Sequence, residues 1–258
     1  MFNYLTQIPQ LPSLYRQWIA IKTAKSSRLP FLALCVLAMS SMIACHHQSA
    51  SVPIESSIMT SDTVEIVEHG IEKSRQGDYK AALIDFNQVI AENPQDMNAY
   101  YNRGYVYSNL GEFDKALADF SQALTLDPKM GEAYVNRGNV YLQLGQDQKA
   151  IADYEKALKI NPNDAFAHNN LGLAHLNSGS PTDAKIDFTE ALAIDPNYGE
   201  AYFNRGLALV DLGLPQQAIA DFQKAAQIWQ QQGEETSVQD ALAQINALKS
   251  TTNSSQRP

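Results

Sequence analysis

Apolar residues in the central part of the chain recur at three- and four-residue steps, which is the spacing of one face of an α-helix. In residues 97–130, a first run of this kind ends at Gly111, where a left-handed residue can close a helix. A second run contains Ala116 and Phe120 and stops at Pro128, because proline disfavours helical geometry in the residue before it. The segment is therefore predicted to form two antiparallel helices joined by a tight turn.

The same pattern returns at intervals of 34 residues. Three columns run through five units: a glycine between the two helices, an alanine in the second helix, and an aromatic residue four positions later. The columns are Gly77, Gly111, Gly145, Gly179 and Gly213; Ala82, Ala116, Ala150, Ala184 and Ala218; and Phe86, Phe120, Tyr154, Phe188 and Phe222. A proline ends four of the units, at Pro94, Pro128, Pro162 and Pro196. A period of this length predicts a stack of helical units in which each unit contacts mainly its neighbours.

On these columns, residues 63–230 resemble five tetratricopeptide repeats. The units are residues 63–96, 97–130, 131–164, 165–198 and 199–230. The resemblance implies an all-α fold, a right-handed superhelical solenoid of five helix pairs whose first helices line a concave groove. Residues 231–249, with Val238, Leu242 and Ile245 on one face, are expected to form a C-terminal capping helix. Residues 250–258 are polar and are predicted to be a disordered tail.

The first 44 residues have the features of a bacterial signal peptide. A basic stretch precedes an apolar run from Leu29 to Met39, which is shorter than the roughly 20 residues that span a bilayer. The sequence Met42-Ile43-Ala44-Cys45 resembles a lipobox, and this resemblance implies that Cys45 carries lipid. Residues 45–62 are therefore predicted to comprise the lipidated cysteine and a flexible tether. An uncleaved signal-anchor and ordinary signal-peptide cleavage near Ala44 are the alternative interpretations of the same segment.

Charge and cysteine content narrow the functional classes. The chain has 19 basic and 28 acidic residues. Because residues 1–44 hold four basic residues and no acidic ones, the rest of the chain carries a net charge of −13. Such an acidic domain is a poor candidate for binding nucleic acid, whose phosphates need clustered lysine and arginine. Cys35 lies in the apolar run and Cys45 in the lipobox, so no disulfide is expected in the repeats.

The resemblance also implies where a partner would bind. The sixth position of the first helix holds Asn102, Asn136, Asn170 and Asn204, and the neighbouring candidates on that face are Tyr101, Tyr105, Asn139, Asn169 and Phe203. An asparagine amide offers one acceptor and one donor group, which matches an exposed peptide backbone. The expected ligand is a protein or an extended peptide segment. A local capping or packing role for the asparagines is the alternative, and the sequence leaves both open.

Other polar columns have a structural interpretation. Arg103, Arg137 and Arg205 and a column of aspartates are predicted to form ion pairs from repeat to repeat. His168 and His175 lie seven residues apart but stand where other repeats have tyrosine, so they are predicted to be core residues rather than metal ligands. The sequence shows no catalytic constellation and no cofactor motif. We expect no catalytic residue, no metal, no cofactor and no small-molecule substrate.

Together these features predict a non-enzymatic scaffold or adaptor tethered to a bacterial membrane, facing the periplasm or the exterior. It would bind partner segments in its groove and organise an envelope or membrane-complex assembly. The alternative is an inner-membrane assembly factor, for example for a photosynthetic or pilus complex, that keeps its signal-anchor. The partner's identity is not encoded in these patterns.

Overall fold

The computed structural model describes residues 61–254 of the chain. The predicted signal peptide, Cys45 and all but the last two residues of the predicted tether lie outside the described residues. In the part that is described, the backbone is helical and the connections are short. The described residues belong to two compact units, residues 61–187 and residues 188–254, which are presented in turn.

Eleven α-helices follow one another along residues 61–254. They are α1 (Ser61–Arg75), α2 (Tyr79–Glu92), α3 (Met97–Asn109), α4 (Phe113–Leu126), α5 (Gly131–Gln143), α6 (Asp147–Ile160), α7 (Ala165–Asn177), α8 (Pro181–Ile194), α9 (Gly199–Asp211), α10 (Pro215–Gln232) and α11 (Glu235–Ser254). The predicted all-α fold of repeated helix pairs is confirmed over this range.

The turns arise from the residues that mark the repeat. Gly111 ends α3 with φ +73°, a left-handed conformation that a side chain disfavours. The amide of Glu112 donates to the carbonyl of Tyr107 at 2.9 Å, which closes the helix end. At the start of α3, the carboxylate of Asp96 accepts from the amide of Ala99 at 2.9 Å. Asp164 caps α7 in the same way, whereas α5 and α9 begin without a side-chain cap.

In residues 61–187, an aromatic ring on the second helix of a pair packs against a glycine of the first. Phe86, Phe120 and Tyr154 are fully buried. A Cβ atom placed on Gly138 would lie 2.8 Å from Cε1 of Tyr154, which is closer than real Cβ contacts come. The pairs α1–α2, α3–α4 and α5–α6 form in this way, and each second helix also contacts the first helix of the next repeat.

In residues 188–254, α10 packs on α9 and α11 covers α10. The ring of Phe203 lies 5.2 Å from that of Phe222 and 5.5 Å from that of Trp229, measured between centroids. Val238, Ala241 and Ile245 of α11 complete this core. The last helix begins at Glu235 and continues to Ser254, so it includes part of the segment predicted to be a tail.

The glycine–aromatic contact predicts that replacing the glycine by alanine lowers the stability of the protein. Alanine normally stabilises a helix relative to glycine by up to about 1 kcal/mol. Gly138→Ala should instead destabilise the protein by about 1–3 kcal/mol, because the new methyl group would collide with the Tyr154 ring. Urea denaturation followed by circular dichroism measures this change.

Gly131→Ala is the matched control in the same helix. A Cβ atom placed on Gly131 would have its nearest neighbour, a carbon of Ile160, at 3.6 Å, which is an ordinary contact distance. This variant should be neutral or slightly stabilising. Equal denaturation midpoints for the two variants would show that the close approach of α5 and α6 does not constrain the fold.

Candidate functional site

In residues 61–187, the first helices of successive repeats lie side by side. α1 contacts α3, α3 contacts α5, and α5 contacts α7. They therefore form one layer, and the second helices pack behind it. Most of the predicted groove residues lie on α3, α5 and α7 of this layer.

The predicted asparagines use their amide groups within the protein. The Nδ2 atom of Asn102 donates to the Asn98 carbonyl one helical turn earlier, at 2.9 Å. Asn136 donates to the Tyr101 hydroxyl at 2.8 Å, which joins α5 to α3. Asn170 donates to Oδ1 of Asn139 at 2.9 Å, which joins α7 to α5. Asn136 and Asn170 thus join neighbouring first helices through the donor half of the amide, whereas Asn102 binds within its own helix.

The α5–α7 contact is the most extensive part of this network. Oδ1 of Asn139 also accepts from the Tyr154 hydroxyl at 2.7 Å, and burial raises the pKa of Tyr154 so that the phenol stays a donor. Nδ2 of Asn169 donates to Oδ1 of Asn170 at 3.2 Å. Asn169 and Asn170 are only 3% and 7% exposed. Asn170 joins α7 to α5 and Asn169 is buried beside it, so we leave both out of the candidate contact surface.

On α3, two tyrosines differ in their surroundings. Burial, with smaller contributions from Glu132 and Tyr105, raises the pKa of Tyr101 to about 12, although the hydrogen bond from Asn136 acts in the opposite direction. Tyr101 is therefore neutral at physiological pH. Tyr105, one turn along, is 37% exposed. Tyr105 is thus the aromatic residue that this face offers to a ligand.

The predicted groove residues of the fifth repeat lie in the unit of residues 188–254. Phe203 is only 4% exposed, because Phe222 and Trp229 enclose its ring. It is a core residue, contrary to its predicted groove role. Asn204 lies next to it on α9 and is half-buried. Helical periodicity alone did not reveal that a tryptophan near the end of α10 covers this position.

Ion pairs join the two helices of a repeat rather than successive repeats, so the predicted partners were wrong. Five aspartates each form an ion pair with one basic side chain, with N–O distances of 2.6–2.7 Å. The pairs are Lys73–Asp85, Arg103–Asp119, Arg137–Asp153, His175–Asp187 and Arg205–Asp221. The bond to the preceding repeat is a hydrogen bond from the arginine to an uncharged side chain. Nη1 of Arg137, for example, donates to the Ser121 hydroxyl at 3.0 Å.

Two repeats replace the arginine without losing the pair. His69 and Leu171 stand where the others have arginine. In both repeats a basic residue four positions later, Lys73 or His175, reaches the aspartate instead. This exchange was visible in the sequence, since only these two repeats have a basic residue at that later position. Because the fourth repeat uses histidine in its ion pair, we expect its stability to depend on pH.

Two further observations bear on chemistry and on membranes. Within residues 61–254, histidine, cysteine and carboxylate side chains form no group of three or more that could hold a metal ion. The same residues include no helix whose length and apolar content would let it cross a membrane.

Helix pairs of constant length, closed by glycine and joined by repeated ion pairs, define the class of helical-repeat proteins. Family comparisons agree with this geometry. A TPR repeat model matches residues 74–111 and 138–179, and two models described as tetratricopeptide repeat match residues 98–130 and 169–232. The chain is a member of the tetratricopeptide repeat family. This fold is typical of non-enzymatic scaffolds.

Solved structures show the same fold at low sequence identity. The crystal structure of MamA is 25% identical, with a TM-score of 0.60, and the match covers 64% of this chain and 96% of that one. MamA 41-end from Desulfovibrio magneticus RS-1 is 23% identical, with a TM-score of 0.63 and coverages of 67% and 98%. YrrB, described as a TPR protein with an unusual peptide-binding site, is 22% identical, with a TM-score of 0.58 and coverages of 69% and 91%. A sequence comparison with curated proteins gives no significant match.

The pair between His175 and Asp187 predicts a pH-dependent stability. The hydrogen bond to Asp187 raises the pKa of His175 above its ordinary value of 6.5, although burial opposes it, and the charges of Asp187, Asp183 and Glu155 add to the increase. A raised pKa in the folded state means that the pair stabilises the protein fully below pH 6.5. This contribution is lost as the pH rises through the folded-state pKa.

His175→Lys should remove that dependence, because Lys73 already forms the equivalent pair with Asp85 and keeps its charge at higher pH. The difference between the melting temperatures near pH 6 and pH 8 should therefore be smaller in the variant than in the wild type. The reduction should be about 2–4 °C if the pair contributes about 1 kcal/mol. His69→Gln, which removes an exposed histidine from α1, is the control and should behave as the wild type. An unchanged pH dependence in His175→Lys would contradict the assignment.

Proposed function

We propose that this protein is a non-enzymatic scaffold that binds segments of partner proteins on the first-helix layer of residues 97–143. The proposal depends on a difference between side chains of this layer: some bind other helices of the protein, and others remain accessible to a partner. Asn139 and Asn170 join α5 to α7, whereas Tyr105 is exposed and the half-buried Asn102 uses only its amide donor, within its own helix. The similar fold of YrrB, whose description names a peptide-binding site, supports this use of the repeat.

The chemistry of the outward groups suits an extended segment. Among the described residues, no donor reaches Oδ1 of Asn102 or Asn136, so both oxygens can accept a backbone N–H. Each such hydrogen bond contributes about 0.5–1.5 kcal/mol net. Useful affinity therefore requires a partner segment that extends over more than one repeat, with Tyr105 adding aromatic contact area.

The proposal includes a tether to a bacterial membrane through lipid on Cys45, with the repeats facing the periplasm or the exterior. It rests on the lipobox-like sequence and the apolar run before it. A tethered scaffold would keep bound partners near the membrane and so organise an envelope assembly. The alternative is retention of the apolar run as a signal-anchor, with the same binding surface.

The binding surface is tested by comparing outward with inward residues. Crosslinking and pull-down from the native membrane first identify a partner. The double variant Asn102→Ala with Tyr105→Ala should then weaken binding of that partner by about tenfold or more, with little change in melting temperature.

Asn139→Ala provides the contrast, because it leaves the Tyr154 hydroxyl and the Asn170 amide without their acceptor. It should lower stability by about 1–3 kcal/mol. Full-strength partner binding by a well-folded double variant would rule out this surface as the contact site.

The tether is tested by labelling cells with a radioactive fatty acid. Cys45→Ser should abolish incorporation and leave a larger, unprocessed chain, whereas Cys35→Ser, in the apolar run, should still be labelled. An unlabelled wild-type protein that retains its first 44 residues would support the signal-anchor alternative.

A further inference from the structure

Two half-buried asparagines, Asn102 and Asn109, lie on the same face of α3 as Tyr105 and use their amide donors within the helix. Asn102 donates its amide to the Asn98 carbonyl, and Asn109 donates its amide to the Tyr105 carbonyl, both at 2.9 Å. A backbone carbonyl can only accept, so the orientation of both amides is determined. The part of each amide that remains for a ligand is the oxygen Oδ1.

The neighbouring helix of the same layer, α5, carries an exposed carboxylate. Glu132 is exposed at the start of α5, close enough to Tyr101 to raise the pKa of that hydroxyl. Among the described residues no basic side chain pairs with Glu132. The arginines of α3 and α5 bind aspartates instead, in the pairs Arg103–Asp119 and Arg137–Asp153, and the exposed Lys129 forms no ion pair with Glu132 in the described residues. The carboxylate therefore keeps its charge available to a ligand.

The exposed aromatic ring is also available to a cation. Elsewhere in residues 61–187, arginine or lysine lies over the rings of Tyr100, Tyr107, Tyr134 and Tyr141, 5.0–5.9 Å from the ring centroid. In the described part of the chain no cation occupies the ring of Tyr105. Its face can attract a cationic group from outside the protein.

We infer that the acceptor surface, formed by Asn102, Tyr105, Asn109 and Glu132, selects partner segments that carry a lysine or arginine side chain. This inference rests on the proposed binding function and states what the partner must bring. A guanidinium or ammonium group supplies only donors, which the amide oxygens and the carboxylate can accept. An acidic segment would meet repulsion from Glu132 and from the net charge of −9 on the chain.

The test uses the full-length protein in detergent micelles and fluorescein-labelled glycine–serine peptides. One peptide carries two arginines, one carries two lysines, one carries two citrullines, and one carries two glutamates. Citrulline keeps the shape of arginine but lacks its charge. Fluorescence anisotropy should show the arginine and lysine peptides binding about tenfold or more tightly than the citrulline peptide, with affinity falling as salt is added.

Variants then locate the effect. Glu132→Gln should weaken binding of the arginine peptide by about two- to fivefold, as expected for one exposed ion pair, and Tyr105→Ala should weaken it further. The control is Glu155→Gln, which makes the same charge change at an exposed position on the second helix of the same repeat. It should leave affinity unchanged.

Two results would overturn the inference. One is tight binding of neutral or acidic peptides. The other is equal affinity of the Glu132→Gln and Glu155→Gln variants for the arginine peptide. Either result would leave the proposed scaffold function standing if the native partner still depends on Asn102 and Tyr105. Loss of that dependence in the pull-down experiment would count against the scaffold function itself.

Discussion

The structure depends on one contact, the packing of an aromatic ring on the second helix of a repeat against a glycine on the first. At Gly138 and Tyr154 the approach leaves no room for a methyl group. This contact sets the separation of the two helices and therefore which faces they leave exposed. In residues 61–187 the pairs α1–α2, α3–α4 and α5–α6 repeat the same close approach, and their first helices form a layer. The amide network and the ion pairs join helices that this contact has already brought together.

The aspartate column and the asparagines near Tyr105 have different roles. The aspartate column is satisfied internally, since each aspartate binds a basic side chain of its own repeat, and tyrosine rings stack on several of these cations. These cations have little left to offer a partner. On α3 the situation is reversed, because the amide donors of Asn102 and Asn109 bind carbonyls of their own helix and their Oδ1 atoms remain as acceptors. This asymmetry is the physical basis for proposing that recognition occurs there.

The candidate site was only partly predictable. Its helix and its register followed from the repeat, and the structure has Asn102 and Tyr105 on α3 and Asn136 on α5. Their individual roles did not follow. Phe203 occupies the same repeat position as Tyr101, yet Trp229 encloses it in the core. Asn169 and Asn170 are buried because each amide finds a partner on its own or the neighbouring first helix. Repeat position predicts a face, whereas burial depends on which side chains the adjacent helices contribute.

The sequence by itself determined the elements of this protein, because their causes are local. Glycine closes a helix, proline ends one, and a small residue opposite an aromatic one permits close packing, all within a single 34-residue unit. Only the tertiary structure decided where the polar groups point. Whether an asparagine amide binds its own helix, a neighbouring tyrosine or a neighbouring asparagine depends on distances between helices that no single unit encodes. The acceptor character of the surface around Tyr105 is a consequence of those distances.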